Sequence, residues 1–156
     1  MWIIFMLGIL LLAPAAAEAQ DSRYINPPTL VKPNGYTHVV LAPDGRTAYI
    51  AGQVALDSTG QLVGAKNFEA QARQVFENLR RALASVDGSF DDVVKTTTFV
   101  TDAKHVPALR ELRARYLGAV HPPANTLVIV SALARPELLI EIEAVAVVPR
   151  VVRHTD

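Results

Sequence analysis

The chain has 156 residues, 51% of them hydrophobic, and fifteen basic residues balance fifteen acidic ones. This length predicts a single domain, and the apolar fraction excludes an intrinsically disordered chain. The zero net charge gives no electrostatic support for nucleic acid as a partner, and the absence of cysteine excludes disulfides and thiolate chemistry. We therefore expect one packed core without covalent cross-links.

The N-terminus has the features of a signal peptide. Residues 2–13 are almost purely apolar, and Ala17 and Ala19 are small residues at the alternate positions that signal peptidase accepts, with cleavage expected before Gln20. We predict a signal peptide over residues 1–19 and an exported protein, periplasmic or secreted, without membrane contact after cleavage. The apolar run is shorter than the roughly twenty residues of a spanning helix. Because no Lys or Arg precedes it, a retained anchor is the alternative.

Three segments follow the predicted signal peptide. Residues 20–35 are rich in proline and polar residues and predict an extended arm. Residues 36–150 contain the folded domain, and residues 151–156 form a C-terminal tail.

The folded domain begins with two apolar, β-branched runs, residues 36–41 and 47–54. The segment that joins them contains Pro43 followed by Asp44 and Gly45, which are typical of a tight turn. The sequence therefore predicts an antiparallel hairpin.

Two helices are predicted next, with a strand between them. Apolar residues recur every three or four positions from Phe68 to Val86, and Asn67 can cap the first turn. Residues 93–100 predict a strand, and residues 105–117 predict a second helix that ends before a pair of prolines. With the two strands that follow, the predicted order is β-β-α-β-α-β-β.

The last third of the domain predicts two strands, and the second carries an unusual pair of carboxylates. Residues 124–133 form an unbroken apolar run, whereas the side chains of residues 139–148 alternate between two faces. Glu141 and Glu143 share one face of a strand that otherwise has the composition of a core. Because a charge in a core costs free energy unless a partner satisfies it, this strand is a candidate functional site.

Two helices can cover only one face of such a sheet. The predicted strands are too continuously apolar for the opposite face to meet water, since a sheet exposed on one side should alternate cleanly. An exposed apolar surface of that size is typical of an interface. We therefore predict an obligate oligomer in which any site at the strand ends lies between subunits.

Six short sequence elements occur in a characteristic order. They are Gly35-Tyr36, AGQV at 51–54, EAQARQVFENL at 69–79, VVKTTTFVTD at 93–102, the strand that begins at Pro123, and IEIEAVAV at 140–147. With these elements the chain resembles the Rid family, also called YjgF-like proteins, over residues 36–148. The resemblance implies a chorismate-mutase-like α+β fold with a mixed β-sheet and two helices on one face. It also implies a homotrimer that hydrolyses reactive enamines and imines in clefts between subunits, without a cofactor.

The resemblance assigns roles to individual residues. Glu141 matches the family's acidic residue, which is thought to position or activate the attacking water, and is the candidate catalytic residue. Asn125 stands where the family's deaminases have an arginine that binds the substrate carboxylate. Because asparagine lacks the charge and fork geometry of arginine, we expect 2-imino acids to be less favoured substrates. A structural Glu141, paired to an arginine or to backbone amides, is the alternative, and Glu143 is expected to form a structural pair.

Four further residues are candidates for substrate binding. Gly52 would let a backbone amide approach a ligand closely, although a glycine at a strand bend or bulge is the alternative. Tyr36 matches the aromatic residue that walls the family's cleft, with an ordinary edge-strand tyrosine as the alternative. The backbone of Thr126 and Leu127 would orient the substrate.

Other chemistry has little support in the sequence. The four histidines lack the spacing of a metal site, and no nucleophile has a catalytic setting, so we expect neither a metal nor a cofactor. Two hypotheses remain. The first is an exported hydrolase, a deaminase of small reactive enamines or imines with an altered substrate preference. The second is a non-catalytic trimer that binds a small metabolite in its clefts or a protein partner on its surface.

Overall fold

The computed structural model describes residues 23–150, so the predicted signal peptide, residues 20–22 of the arm and the C-terminal tail lie outside the described residues. Within this range the regular elements are β1 (Arg23–Ile25), β2 (Val39–Leu41), β3 (Arg46–Val54), α1 (Phe68–Ala84), β4 (Val93–Val100), α2 (Val106–Leu117), β5 (Ala124–Ile129) and β6 (Ile140–Val148). Neither helix of this part of the chain is long and apolar enough to cross a bilayer.

Four of the strands form a mixed sheet in the order β3-β6-β4-β5. β6 is antiparallel to both of its neighbours, whereas β4 and β5 run parallel with α2 as their connection. β1 and β2 form a separate two-stranded antiparallel sheet. The predicted α+β fold, a mixed sheet with two helices, is confirmed.

α1 begins at its predicted cap. The side-chain oxygen of Asn67 accepts a hydrogen bond from the backbone N–H of Ala70 over 3.1 Å, which satisfies one of the free donors at the helix start. The predicted apolar positions in the first three turns are buried against the sheet, and Phe76 and Leu83 complete the buried stripe.

The end of α1 is set by a backbone reversal. The helix stops at Ala84, before the predicted end at Val86. Asp87 adopts a left-handed φ of 61°, and Gly88 donates its N–H to the carbonyl of Leu83 over 2.9 Å. This capping arrangement satisfies a carbonyl that the helix leaves free, so the chain turns back towards β4.

A buried glutamine fixes α1 to the segment that leads into β6. The side chain of Gln71 is fully buried. Its Nε2 donates to the carbonyl of Glu137 over 2.9 Å, and its Oε1 accepts from the N–H of Leu139 over 2.8 Å. Leaving such buried groups unpaired costs about 1–3 kcal/mol each. Gln71 therefore holds the entry into the strand that carries Glu141.

The predicted hairpin is wrong. β2 pairs with β1, whereas β3 pairs along its length with β6. The bend at Pro43, Asp44 and Gly45 carries the chain from the small sheet to the edge of the main sheet. Turn residues specify only a local reversal of the chain, and pairing with β6 lets β3 bury one side against α1.

The sheet face opposite the helices, called the open face below, is less apolar than predicted. Thr96 and Thr98 on β4 are buried on the helix side, so Lys95 and Thr97 between them point to the open face. Thr97 pairs there with Glu143. Tyr49 and Val145 lie on the same face, so the open face carries both polar and apolar side chains.

The continuous apolar runs have other causes. β2 lies outside the main sheet, and the run from residue 124 leaves the sheet after Ile129. In β3 the register shifts between Ile50 and Gln53. An extra residue in one strand interrupts the alternation of sides, so an apolar run there does not require both faces to be buried.

Candidate functional site

β6 places two carboxylates on the open face. Glu141 is half-buried and Glu143 exposed, and they pair across the sheet with Phe99 and Thr97 of β4. The alternate residues are buried under the helices, namely Ile140, Ile142, Ala144 and Ala146. The alternation predicted for this strand is confirmed.

The carboxylate of Glu141 lies directly against the backbone of Gly52. A Cβ atom at residue 52 would lie 2.8 Å from the carboxyl carbon of Glu141 and would overlap its Oε1. Gly52 falls within the register shift of β3, and it is not among the glycines with a left-handed φ between residues 23 and 150. The carboxylate of Glu141 therefore occupies the volume that a side chain at residue 52 would need, and a larger residue fits there only if that carboxylate moves.

Neither carboxylate on β6 forms a salt bridge within the part of the chain that the structure describes. Glu141 and Glu143 are absent from the salt bridges formed among residues 23–150. The structural ion pair predicted for Glu143 is therefore not formed within the described part of the chain. Glu141 presents acceptor oxygens beside the strand backbone, which suits it to hold a water molecule.

Asn125 lies on the opposite side of the sheet from Glu141. It pairs with Thr96 in the parallel ladder of β4 and β5. Its Oδ1 accepts hydrogen bonds from the hydroxyl groups of Thr96 at 2.9 Å and Thr98 at 3.3 Å, both on the helix side. Within one chain, the two residues with the leading predicted roles therefore face away from each other.

Three of the predicted binding residues line one cavity. This cavity, called the β5 cavity below, has a volume of about 500 Å³ and lies where β5 begins. Tyr36, Asn125 and Thr126 line it, together with Lys95 and His38. The structure thus brings these three predicted residues together.

The other predicted residues lie elsewhere. Gly52, Leu127 and Glu141 do not line the β5 cavity. Leu127 is partly buried and packs against the hydrophobic core, while Gly52 and Glu141 form their own contact. Between residues 23 and 150, no group of three or more histidine, aspartate or glutamate residues is arranged to hold a metal ion.

Tyr36 is held in place from both sides. Nη2 of the buried Arg113 donates to the carbonyl of Gly35 over 2.9 Å, and the hydroxyl of Thr37 donates to the carbonyl of Pro122 over 2.6 Å. Burial lowers the pKa of Arg113 to about 10. The position of the aromatic wall is therefore set by α2 on one side and by the start of β5 on the other.

Lys95 is a site candidate to which the sequence assigns no role. Its Nζ donates to the hydroxyl of Thr126 over 2.6 Å. It lines the β5 cavity and also a second cavity of about 340 Å³ on the open face, beside Glu143. Partial burial lowers the pKa of Lys95, an effect that the charge of Glu143 opposes and that of Arg113 reinforces. The sequence feature that could have indicated this residue is a single lysine within a strand composed mainly of valine and threonine.

Comparison with known proteins identifies the class of this α+β fold. The sequence profile of the family described as Endoribonuclease L-PSP matches residues 29–148. The chain is similar to RutC family protein PH0854 of Pyrococcus horikoshii, with 38% identity over 117 residues, covering 74% of this chain and 89% of that protein. It is also similar to Protein DfrA of Myxococcus xanthus, with 36% identity over 112 residues, covering 72% and 84%.

Solved structures give the same result. A structure of YyfB from Yersinia pestis, a protein of unknown function of the conserved Rid protein family, has a TM-score of 0.77 and 39% identity, covering 83% of this chain and 100% of that chain. RidA from the Antarctic bacterium Psychrobacter sp. has a TM-score of 0.61 and 36% identity, covering 67% and 83%. The chain belongs to the Rid (YjgF) family. Rid proteins are typically homotrimers with a ligand-binding cleft, and membership supports, in general terms, a small-molecule deaminase or an endoribonuclease-like role.

Proposed function

We propose that this protein hydrolyses small reactive enamines or imines, with a substrate preference that differs from that of relatives carrying an arginine at position 125. The observation that carries the proposal is the carboxylate of Glu141, which lies against Gly52 with no salt bridge to residues 23–150. A carboxylate in this setting can accept a proton from a water molecule that it also orients.

The reaction needs little more than this group. Water adds to the carbon of the C=N bond while Glu141 accepts its proton, and the nitrogen becomes protonated. The tetrahedral adduct then collapses to a carbonyl product and releases ammonia. An enamine reaches the same path after protonation at carbon and loss of a proton from nitrogen, which together give the imine.

The altered preference rests on position 125. Asn125 offers an amide where an arginine would offer a charged fork, and arginine is the residue best suited to bind a planar carboxylate through two hydrogen bonds. Its Oδ1 is already used by Thr96 and Thr98. A loss of carboxylate binding at this position is the expected consequence.

A homotrimer with sites between subunits is part of the proposal. Asn125 and Glu141 face opposite sides of the sheet in one chain, so a site that uses both must take one residue from each of two copies. The typical trimeric assembly of the family supports this arrangement. Light scattering should give about three times the chain mass, and a monomeric mass would remove the inter-subunit site.

A small molecule is favoured over RNA as the substrate. The chain has zero net charge, whereas binding of a nucleic acid backbone depends on clustered lysine and arginine. Cleavage of single-stranded RNA by the purified protein, at a rate that Glu141→Gln leaves unchanged, would favour the endoribonuclease-like role instead.

The experiment that tests the function is ammonia release. The purified protein is mixed with freshly generated 2-iminopropanoate and with uncharged imine analogues, beside a relative that has the arginine. Turnover of the uncharged compounds with weak turnover of 2-iminopropanoate is the expected result. No turnover of any compound would favour the alternative, a non-catalytic trimer that binds a small metabolite or a partner.

The Asn125→Arg variant should raise hydrolysis of 2-iminopropanoate by roughly ten- to hundredfold, the value of a hydrogen-bonded charge. Asn125→Lys is the matched control, because it adds charge without the fork and also loses the contacts of Asn125 with the two threonines. A smaller gain in 2-iminopropanoate hydrolysis in the lysine variant than in the arginine variant would show that the fork geometry contributes in addition to the positive charge. No gain in either variant would show that more than the anchor differs from the arginine-containing relatives.

Export is a further part of the proposal. It rests on the apolar run of residues 2–13 and the small residues before Gln20. The mass of the protein recovered from the periplasm or medium of a bacterial host should correspond to residues 20–156. A full-length chain in the membrane fraction would instead indicate a retained anchor.

A further inference from the structure

The β5 cavity is a positively charged site. Its titratable lining side chains are Tyr36, His38 and Lys95, and no aspartate or glutamate of residues 23–150 lines it. Lys95 gives this lining a full positive charge at neutral pH by its chemical type. A cavity with this lining is suited to a negatively charged ligand.

The ammonium group of Lys95 retains donors for a ligand. An ammonium has three N–H donors, and the hydroxyl of Thr126 accepts one of them over 2.6 Å. This contact fixes the ammonium at the mouth of β5 beside Asn125. Since Lys95 is half-buried, water screens its charge less than that of a fully exposed lysine.

A second cation, Arg113, also acts on Lys95. The guanidinium of Arg113 is buried, its Nε has no hydrogen-bond partner, and it forms no salt bridge with residues 23–150. Its charge acts on Lys95, where it opposes the effect of Glu143. The effect of Arg113 on Lys95 is smaller than that of Glu143, which lines the neighbouring cavity, so Lys95 is the charge that the β5 cavity itself presents.

We propose that Lys95 determines the charge preference of this site by binding the carboxylate of a small organic anion. Lys95 supplies the positive charge that position 125 lacks, from the neighbouring strand. A lysine acts as a point charge, without the planar fork of arginine. It therefore holds a carboxylate through one contact that does not fix its orientation, so 2-iminopropanoate binds at this site although its turnover is weak. The binding of a carboxylate by Lys95 does not depend on the proposed function. Only the statement that such an anion is a substrate rests on the proposed function.

The competing explanation is a structural Lys95 that only joins β4 to β5 through Thr126. The two explanations differ in what a substitution changes. Loss of a structural contact lowers stability and weakens all ligands equally. Loss of a ligand-binding charge weakens anions selectively.

The test is binding of pyruvate, the carbonyl product of 2-iminopropanoate hydrolysis, compared with its uncharged methyl ester. The variants are Lys95→Met and Lys95→Arg, with Lys104→Met as the control, because Lys104 is an exposed lysine paired with Asp102 away from the cavity. Lys95→Met should weaken pyruvate binding by roughly ten- to hundredfold, while Lys95→Arg retains most of it. Binding of methyl pyruvate should change little in any of the three variants. Thermal unfolding shows whether each variant is folded, and Lys95→Gln, which keeps a donor for Thr126 without the charge, carries the test if the methionine variant is not.

The outcomes separate the inference from the proposed function. Equal pyruvate binding in Lys95→Met and the unchanged protein overturns the inference, as does inorganic phosphate competing as strongly as pyruvate, since that would mean a site without preference for carboxylates. Turnover of uncharged imines with no pyruvate binding also overturns it and leaves the proposed function standing. Binding of pyruvate that depends on Lys95, with no ammonia release from any imine, supports the inference and removes the proposed function.

Discussion

Replacing Glu141 with glutamine should lower the turnover of imines by roughly 10²–10⁴-fold, the range that a positioned general base contributes. Glutamine keeps the size of the side chain, so it should still fill the space beside Gly52. It cannot accept a proton from water at neutral pH. Because Glu141 forms no salt bridge with residues 23–150, the exchange should leave folding and assembly nearly unchanged. Ammonia release and light scattering measure the two effects.

Glu111→Gln is the matched control for this variant. Glu111 is an exposed residue of α2, and the same chemical change at such a position should alter stability by no more than about 0.5 kcal/mol. Its turnover should equal that of the unchanged protein. If Glu141→Gln retains full turnover while the trimer stays assembled, Glu141 has no part in the reaction and its position on the open face is structural.

The helices and the central strands could be predicted from the sequence because local patterns specify them. The period of the apolar residues and the cap at Asn67 place α1, and the alternation in β6 separates Glu141 from its buried neighbours. These features depend on residues close together in the chain. Their prediction therefore does not depend on how distant segments of the chain pack.

The pairing of strands could not be predicted in the same way. Pro43, Asp44 and Gly45 predict a reversal of the chain, but which strand lies beside β3 depends on burial against α1, a distant segment. The register shift near Gly52 was indicated only as an alternative, a glycine at a strand bend or bulge, and the sequence does not show how it reorients the strand. This shift changes which side of β3 each residue faces. The apolar run in β3 therefore arises from the shift and does not require both faces of the strand to be buried.

The candidate site could be predicted only in part. Glu141 was predicted as a site residue because placing a charge on an apolar strand costs free energy. Tyr36, Asn125 and Thr126 were predicted as binding residues only through the resemblance to a family. The sequence assigns Lys95 no role because its surroundings are set across strands, by the hydrogen bond to Thr126 and by the charge of Glu143. Spacing along the chain carries no information on either contact.

The Gly52→Ala variant should lose turnover while keeping stability. An alanine Cβ would overlap the carboxylate of Glu141, and the end of a flexible side chain can move aside at little cost. The φ of Gly52 lies outside the left-handed region, and a compatible Gly-to-Ala exchange stabilises a protein by about 0.4–1 kcal/mol through the unfolded chain. Stability should therefore change little. Displacement of the catalytic group by about 1 Å can cost roughly 10²-fold in rate.

Gly45→Ala is the opposite case and the control. A Cβ at residue 45 would lie 2.7 Å from the backbone oxygen of Val148 and from a methyl carbon of Val147, and a strand backbone cannot give way as a side chain does. This variant should lose stability and keep the turnover of each folded molecule. Because Gly52→Ala acts through Glu141 alone, adding it to Glu141→Gln should lower turnover no further, the non-additivity expected of residues in contact. Full turnover in Gly52→Ala would mean that the position of this carboxylate does not matter to the reaction, and the mechanism would have to be assigned to another group.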